Sequence, residues 1–395
     1  MVYFTDIRKL YLFTFFTELF FMGAISVPFF LEWGKINYTQ LFILQAWFMA
    51  WIFLLEIPTG VVADRIGRKH SLSLSGIIGA IAVCIYVISP NFYIFLLAEF
   101  LMALTIAFCS GADTALIYEI LKKQKKEKQS KYIFSKYKMF NTLGTAVGLP
   151  IGSVIAGLMV WPYPDNLTLP FLLTSIPFAI AAILAISIKE NKRPKFRENY
   201  LKTAISGIKY FAGHKKLKVL TLDMILVSGT TFFMYWFYQS ILGKAGFSVA
   251  VNGFVSAGFN ATVVLLLFKM KSIEKVFGVK NILFLSALIP GIFYLGLAFT
   301  NNIFFVFVAI FAITSLRGLR APVFNHYMNF YIKKKQRATI LSTISMFDRL
   351  FMVILYPIVG ILSDISLEYT FLVLGLLTII FAVVFRTGKR ILNKR

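Results

Sequence analysis

An all-α membrane protein of twelve transmembrane helices, in two pseudo-symmetric six-helix bundles with both termini cytoplasmic, is the fold class this sequence predicts. Three observations predict it. The 395 residues are 58% hydrophobic and only 15% charged, with a mean hydropathy of +0.77, which leaves too little polar surface for a globule in water. Apolar runs recur twelve times, each near the roughly 20 residues needed to cross a hydrocarbon core about 30 Å thick. Finally, 36 of the 41 Lys and Arg fall on one side of the alternating topology, which the positive-inside rule makes cytoplasmic.

The first run, 7–31, follows a short polar start and reads as an uncleaved signal anchor. It carries Glu18 about 11 residues in, roughly 16 Å deep on a helix, with Thr14 and Thr17 beside it. Run 39–63 holds Gln45. Runs 70–89 and 91–120 hold Cys84 and Cys109, single thiols expected to pack as small apolar residues. The fourth run also carries Glu99, Asp113 and Glu119. Run 134–160 holds Asn141 and the stretch GTAVGLPIGSVIAG, in which Gly144, Gly148 and Gly152 recur every four residues. That spacing makes a smooth stripe for close helix approach, and Pro150 permits a kink. Run 167–188 closes the first half.

The stretch 189–218 carries ten basic residues and divides the chain into an N-terminal bundle (1–188), a cytoplasmic linker (189–216) and a C-terminal bundle (217–395). Leu201, Ile205, Ile208 and Phe211 recur at helical spacing among lysines, which predicts a helix lying along the inner membrane surface.

In the second half, run 217–243 contains FFMYWFYQS. There Tyr235, Trp236, Tyr238 and Gln239 combine aromatic surface with hydrogen-bonding tips, suited to a partly apolar organic ligand or to an aromatic belt at the outer interface. Run 249–270 adds Asn260, and run 280–299 is almost uncharged. Run 302–331 places Arg317 and Arg320 three apart on one face, followed by Pro322. They suit an anionic substrate group or structural ion pairs with Asp348 or Asp113. Run 337–362 carries Asp348 and Arg349, which point about 100° apart and therefore face different neighbours; run 368–386 ends the set.

Two loops show that the halves repeat. Loop 8/9, KSIEKVFGVKNIL, places Gly278, Lys280 and Leu283 where loop 2/3 has Gly67, Lys69 and Leu72. Repeated halves are a mark of secondary transporters, in which one bundle rocks against the other.

Loop 2/3 itself, GVVADRIGRKHSL, resembles the signature of the major facilitator superfamily, G-x-L-a-D-r-x-G-r-k-x-x-l. Gly60, Asp64, Arg65, Gly67, Arg68, Lys69 and Leu72 match, and Val62 stands at the Leu position. The resemblance implies a conformational latch: Gly60 would let span 11 approach, Asp64 would face its N-terminal amides near Arg337 to Ile340, and Arg68 would reach Glu119 or Asp113. A carboxylate so placed gains about 0.3–1 kcal/mol from the helix dipole. The span 5 stretch resembles the motif of the superfamily's drug/proton antiporters, although Leu149 separates Gly148 from Pro150 and Ser153 replaces a glycine. The arginine that the family's span 4 motif links to proton coupling is absent here, so other groups must carry protons.

An ionisable group near the bilayer centre costs about 2.5–3.5 kcal/mol on insertion scales, which marks it as functional by default. Glu18, Glu99 and Asp348 are therefore the proton-coupling candidates. Tyr235, Tyr238, Gln239, Asn260, Arg317, Arg320, Arg349, Asn141 and Gln45 are the substrate-cavity candidates. The expected function is alternating-access secondary transport, proton-coupled efflux of small organic compounds. The alternatives are symport or uniport of a polar or anionic metabolite, or a non-transporting role on the same scaffold. No phosphate-binding P-loop or nucleophile motif occurs, and the three histidines are scattered. The expectation is thus no enzyme, no metal and no cofactor beyond the proton gradient. A basic charge spread over every inner loop also offers no face for nucleic acid. The expected partners are a small-molecule substrate and the bilayer of the plasma membrane, with the protein acting as a monomer.

Overall fold

The structure, a computed structural model, describes residues 2–190, 200–300, 302–332 and 337–385. All regular structure among them is helical. The helices are α1 (Val2–Thr17), α2 (Tyr38–Ile66), α3 (Arg68–Tyr86), α4 (Phe92–Cys109), α5 (Ala112–Lys123), α6 (Ser130–Gly157), α7 (Leu169–Ile186), α8 (Tyr200–Gly213), α9 (Lys215–Phe232), α10 (Met234–Lys244), α11 (Val249–Phe268), α12 (Met270–Phe299), α13 (Ile303–Tyr331), α14 (Arg337–Ile365) and α15 (Leu367–Val384). Among the described residues eleven helical stretches are long and apolar enough to cross a membrane, with α4–α5 and α9–α10 each forming one such stretch. Asn37, Asn91, Asn302 and Ser366 cap the starts of α2, α4, α13 and α15 with side-chain oxygens, satisfying amides that a helix leaves open at its first turn.

The chain forms two compact units, Met1–Glu198 with Ser248–Ser256, and Asn199–Phe247 with Ala257–Arg395. In the first, α3 packs on α4 and α7, α2 on α4, and α1 on α6 and α7. In the second, α12 packs on α13 and α15, α9 on α13, α14 and α15, and α8 on α14. The first turns of α11 belong to the first unit, where the Ser153 hydroxyl lies 3.1 Å from Ala250 O and accepts the Gly253 N–H at 3.1 Å. The internal repeat is visible in the backbone. Gly67, between α2 and α3, has φ 102° and ψ 147°, and Gly278, at a kink inside α12, has φ 70° and ψ 148°. Both are conformations that a side chain would strain.

The first apolar run is not one helix, contrary to the sequence expectation. Helix α1 stops at Thr17, residues 19–20 are irregular, residues 21–25 form turns, and helical structure resumes only with Ser26–Pro28 and a π-turn over Phe29–Trp33. Glycines of α6 explain how the break is seated. A Cβ on Gly144 would stand 2.4 Å from Phe15 O, one on Gly148 2.7 Å from Phe20 N, and one on Gly152 1.7 Å from Phe21 O. The stripe is thus the floor on which the unwound backbone lies.

Helix α8 forms within the segment expected to be helical. It docks on its own unit: Tyr210 Oη donates to Tyr331 O at 2.8 Å, Phe211 meets Phe347 at 5.1 Å, and Gly207 lies under Thr339 and Thr343. Of the apolar positions that made the pattern, Phe211 takes part in this packing. Ile208 is exposed, while linker residues 191–199, the side chains of Leu201 and Ile205, and the C-terminal segment 386–395 lie outside the described residues.

Gly152→Ala is expected to destabilise the protein by about 1–3 kcal/mol through overpacking against the broken span. Gly243→Ala, at a position with open space around it, is the control. Thermal unfolding in detergent should show a lower Tm for the first and not for the second.

Candidate functional site

In the first unit the break in span 1 turns a carboxylate toward α6. Glu18 N–H still bonds Thr14 O at 3.2 Å, but Leu19 N–H reaches Phe16 O at 3.2 Å and Phe20 N–H turns back to Glu18 O at 2.8 Å. Glu18 therefore sits at the corner where the helix ends. Lys138, Asn141 and Thr145 recur at helical spacing on one face of α6. Asn141 Nδ2 donates to Glu18 Oε1 at 2.7 Å, and Thr145 Oγ1 donates to Oε2 at 3.1 Å. Asn141 Nδ2 also lies 3.2 Å from Thr14 Oγ1, and Lys138 Nζ donates to Asn141 Oδ1 at 2.7 Å. Beside this cluster Tyr137 Oη donates to Asp113 Oδ2 at 2.7 Å.

A second carboxylate in this unit is enclosed. Glu99 on α4, 5% exposed, accepts a hydrogen bond from Gln45 Nε2 of α2 at 3.0 Å and hydrogen-bonds with Tyr86 of α3. All its partners are uncharged. Neither Glu18 nor Glu99 makes an ion pair with a described residue.

The charges of the second unit are arranged differently. Arg320 is wholly buried: Nη2 donates to Asp223 Oδ1 of α9 at 2.6 Å, and Nη1 donates to Leu283 O at 2.6 Å and Ser286 Oγ at 3.0 Å. Arg317, one turn earlier, lies 4.6 Å over the Phe232 ring, and its Nε donates to Ser228 O at 3.3 Å. It interacts electrostatically with Asp348, which also feels Arg349.

At loop 2/3 the basic and acidic groups interlock. Arg68 Nη1 meets Glu119 Oε1 at 2.9 Å. Glu190, just past α7, accepts the backbone N–H of both Arg68 and Lys69 at 2.9 Å, so a carboxylate caps the N-terminus of α3 where the helix dipole favours it. Asp64 and Arg65 are exposed at the end of α2, and no described atom lies within 4 Å of a Cβ built on Gly60.

With that geometry in view, the sequence model of the Major Facilitator Superfamily matches residues 10–258 and 224–392. The chain belongs to this superfamily. Curated relatives include the Staphyloferrin A transporter of Staphylococcus aureus (strain NCTC 8325 / PS 47), 25% identical over 85% of this chain and 83% of that protein. The glucose/galactose transporter of Brucella abortus biovar 1 (strain 9-941) is 25% identical over 44% of this chain and 45% of its own length. Among solved structures, a bacterial homolog to the human lysosomal transporter Spinster aligns with a TM-score of 0.79 at 15% identity, covering 99% of this chain and 98% of that one. The nucleoside transporter NupG aligns with a TM-score of 0.74 at 13% identity, covering all of both chains. At such identities the structures show the fold.

The structure of this superfamily transporter regroups the residues singled out from sequence. It joins Gln45 to Glu99 and Asn141 to Glu18, and gives Arg68 to Glu119 while Asp113 goes to Tyr137. Arg320 is corrected in its ion pair: the partner is Asp223, not Asp348 or Asp113. Tyr238 and Gln239 are buried, at 0% and 2% exposure. Tyr235 is half-buried, and Asn260 is exposed. Sequence reasoning missed Asp223, Glu190, Lys138 and Thr145. The last two carried a signal, their i−3 and i+4 spacing from Asn141. Among the described residues no group of three or more His, Cys, Asp or Glu could hold a metal.

Asp223→Ala leaves Arg320 buried without its counter-ion and is expected to cost about 3–5 kcal/mol. The double variant Asp223→Leu with Arg320→Met should recover most of that loss. Unfolding midpoints of the two variants check it; equal losses would contradict the pairing.

Proposed function

We propose that this transporter couples protons to the movement of a small organic solute across the plasma membrane by alternating access, in the efflux direction, as a monomer without a cofactor and with no enzymatic step. One observation carries the coupling: two intramembrane carboxylates, Glu18 and Glu99, are held only by uncharged hydrogen-bond donors. Such a group takes up or releases a proton without breaking an ion pair, and its charge changes the cost of exposing the site to either side. Asp348, facing Arg317 and Arg349, is the lesser candidate because its charge is already balanced. Glu18 also lies at the break of a discontinuous helix, the setting in which transporters place coupling and substrate sites.

The efflux direction rests on the likeness of the span 5 stretch to drug/proton antiporters. Arg317, half-buried over an aromatic ring, is the cationic group best suited to a solute carrying a carboxylate. Staphyloferrin A is therefore the first solute to test, since a relative along most of the chain is named for transporting it.

Proteoliposomes with a more acidic lumen, given staphyloferrin A and then a mixture of small organic solutes outside, should accumulate solute while the pH gradient lasts. Accumulation only under the reversed gradient would make the protein a symporter. Absence of pH-dependent flux for every solute would overturn the proton reading. Glu18→Gln and Glu99→Gln should each abolish gradient-driven accumulation while leaving the Tm close to wild type.

A further inference from the structure

The hydrogen bonds around Glu18 have a polarity that one residue fixes from outside. The ammonium of Lys138 can only donate, and it donates to Asn141 Oδ1 at 2.7 Å. The side-chain nitrogen of Asn141 is thereby turned to Glu18 Oε1 at 2.7 Å, with Thr14 Oγ1 at 3.2 Å. Thr145 Oγ1 donates to Oε2 at 3.1 Å, and has an alternative acceptor in Asn141 O at 3.4 Å. Every contact to the carboxylate is thus a donor, which is what an ionised group with only lone pairs requires.

A protonated carboxyl must instead donate one hydrogen. At Oε1 it would meet the Asn141 amide nitrogen, which cannot accept. Accepting there would require the amide to flip, and the flip would set its NH2 group against the Lys138 ammonium, two donors face to face. At Oε2 no such conflict arises. The Thr145 hydroxyl can turn to donate to Asn141 O and accept the new hydrogen from Glu18.

The other groups around the cluster leave this logic intact. Asp113 is engaged by Tyr137 Oη and by the Thr114 N–H, and Cys109 stands within electrostatic reach of Glu18 and Asp113. Thr17 is turned to Thr14 O. Helix α7, also packed on the first span, meets it through Phe178 against Phe20.

We propose that Lys138 is a positioning residue: acting through Asn141, it holds the hydrogen-bond polarity around Glu18 so that the proton is taken at Oε2, beside Thr145, and its own contact survives only while the amide stays unflipped. The proposal rests on Glu18 being a proton carrier. Lys138 bonds Asn141 rather than Glu18 itself, and the motif likenesses of the sequence do not include it.

The test needs no substrate. Wild-type protein in liposomes is titrated from acid to alkaline pH by difference infrared spectroscopy, and the Glu18 carboxyl band is assigned by its loss in Glu18→Gln. Lys138→Gln, which can both donate and accept, frees the amide and removes a charge-assisted donor from the chain. Its Glu18 midpoint should move to higher pH by about half a unit or more, with an altered C=O band frequency as Oε1 becomes available. Lys138→Arg keeps a donor-only cation and should restore both. Coincident midpoints and frequencies in wild type and Lys138→Gln would overturn the proposal, as would Lys138→Arg behaving like Lys138→Gln. No titrating Glu18 band in wild type would instead sink the proton-carrier reading itself. A merely structural role for Lys138 would lower the Tm of Lys138→Gln without moving the carboxyl midpoint.

Discussion

Backbone hydrogen bonds must be satisfied within a bilayer, where an unmet amide or carbonyl costs several kcal/mol, and this constraint governs the first span. Between Glu18 and Ile25 the regular i to i−4 ladder gives way to tighter bonds, Leu19 to Phe16, Gly23 to Phe20 and Ile25 to Met22. Such irregular backbone survives only where protein covers it, and residues 22–25 are buried. The cover on one side is the glycine stripe of α6. Its bare Cα positions let the carbonyls of Phe15 and Phe21 approach closer than any side chain would allow. The break in turn orients Glu18, so a packing device in span 5 sets the chemistry of span 1.

The two units use charge in contrasting ways. In the second, Arg320 and Asp223 are buried together and tied to Leu283 O and Ser286 Oγ, joining α9, α12 and α13. That arrangement stabilises only as a complete set, because either partner alone is a stranded charge. Arg317, one turn away, is held instead by Ser228 O and the Phe232 ring. In the first unit the carboxylates Glu18 and Glu99 keep neutral partners among the described residues, while Arg68 pairs with Glu119 and Lys9 with Asp6.

Much of this was legible in the sequence because hydropathy and glycine spacing report directly on bilayer crossing and backbone conformation. Most of the apolar runs foretold the helix ends to within a few residues, runs 7–31 and 280–299 excepted, and the Gly67/Gly278 correspondence foretold a shared backbone geometry. Two kinds of feature were not legible. The break after Thr17 leaves no local mark, since residues 19–25 are as apolar as any helix; it is imposed by what packs against them. Partner choice was equally hidden. For Arg320 the sequence offers Asp348 and Asp113, and nothing in its spacing singles out Asp223. The contacts of α8 with Tyr331 and Phe347 were hidden as well, because amphipathicity states that a face will be buried and not by what.

The claim on which the rest stands is that span 1 is interrupted at Glu18. Backbone 13Cα and 13C′ shifts of the labelled protein in lipid bilayers, measured by solid-state NMR, address it directly. The account predicts helical shifts up to Thr17, non-helical values through residues 19–25, and helical values again from Ser26. Helical shifts running unbroken from residue 7 to residue 31 would contradict it, and with it the placement of Glu18 against Asn141 and Thr145.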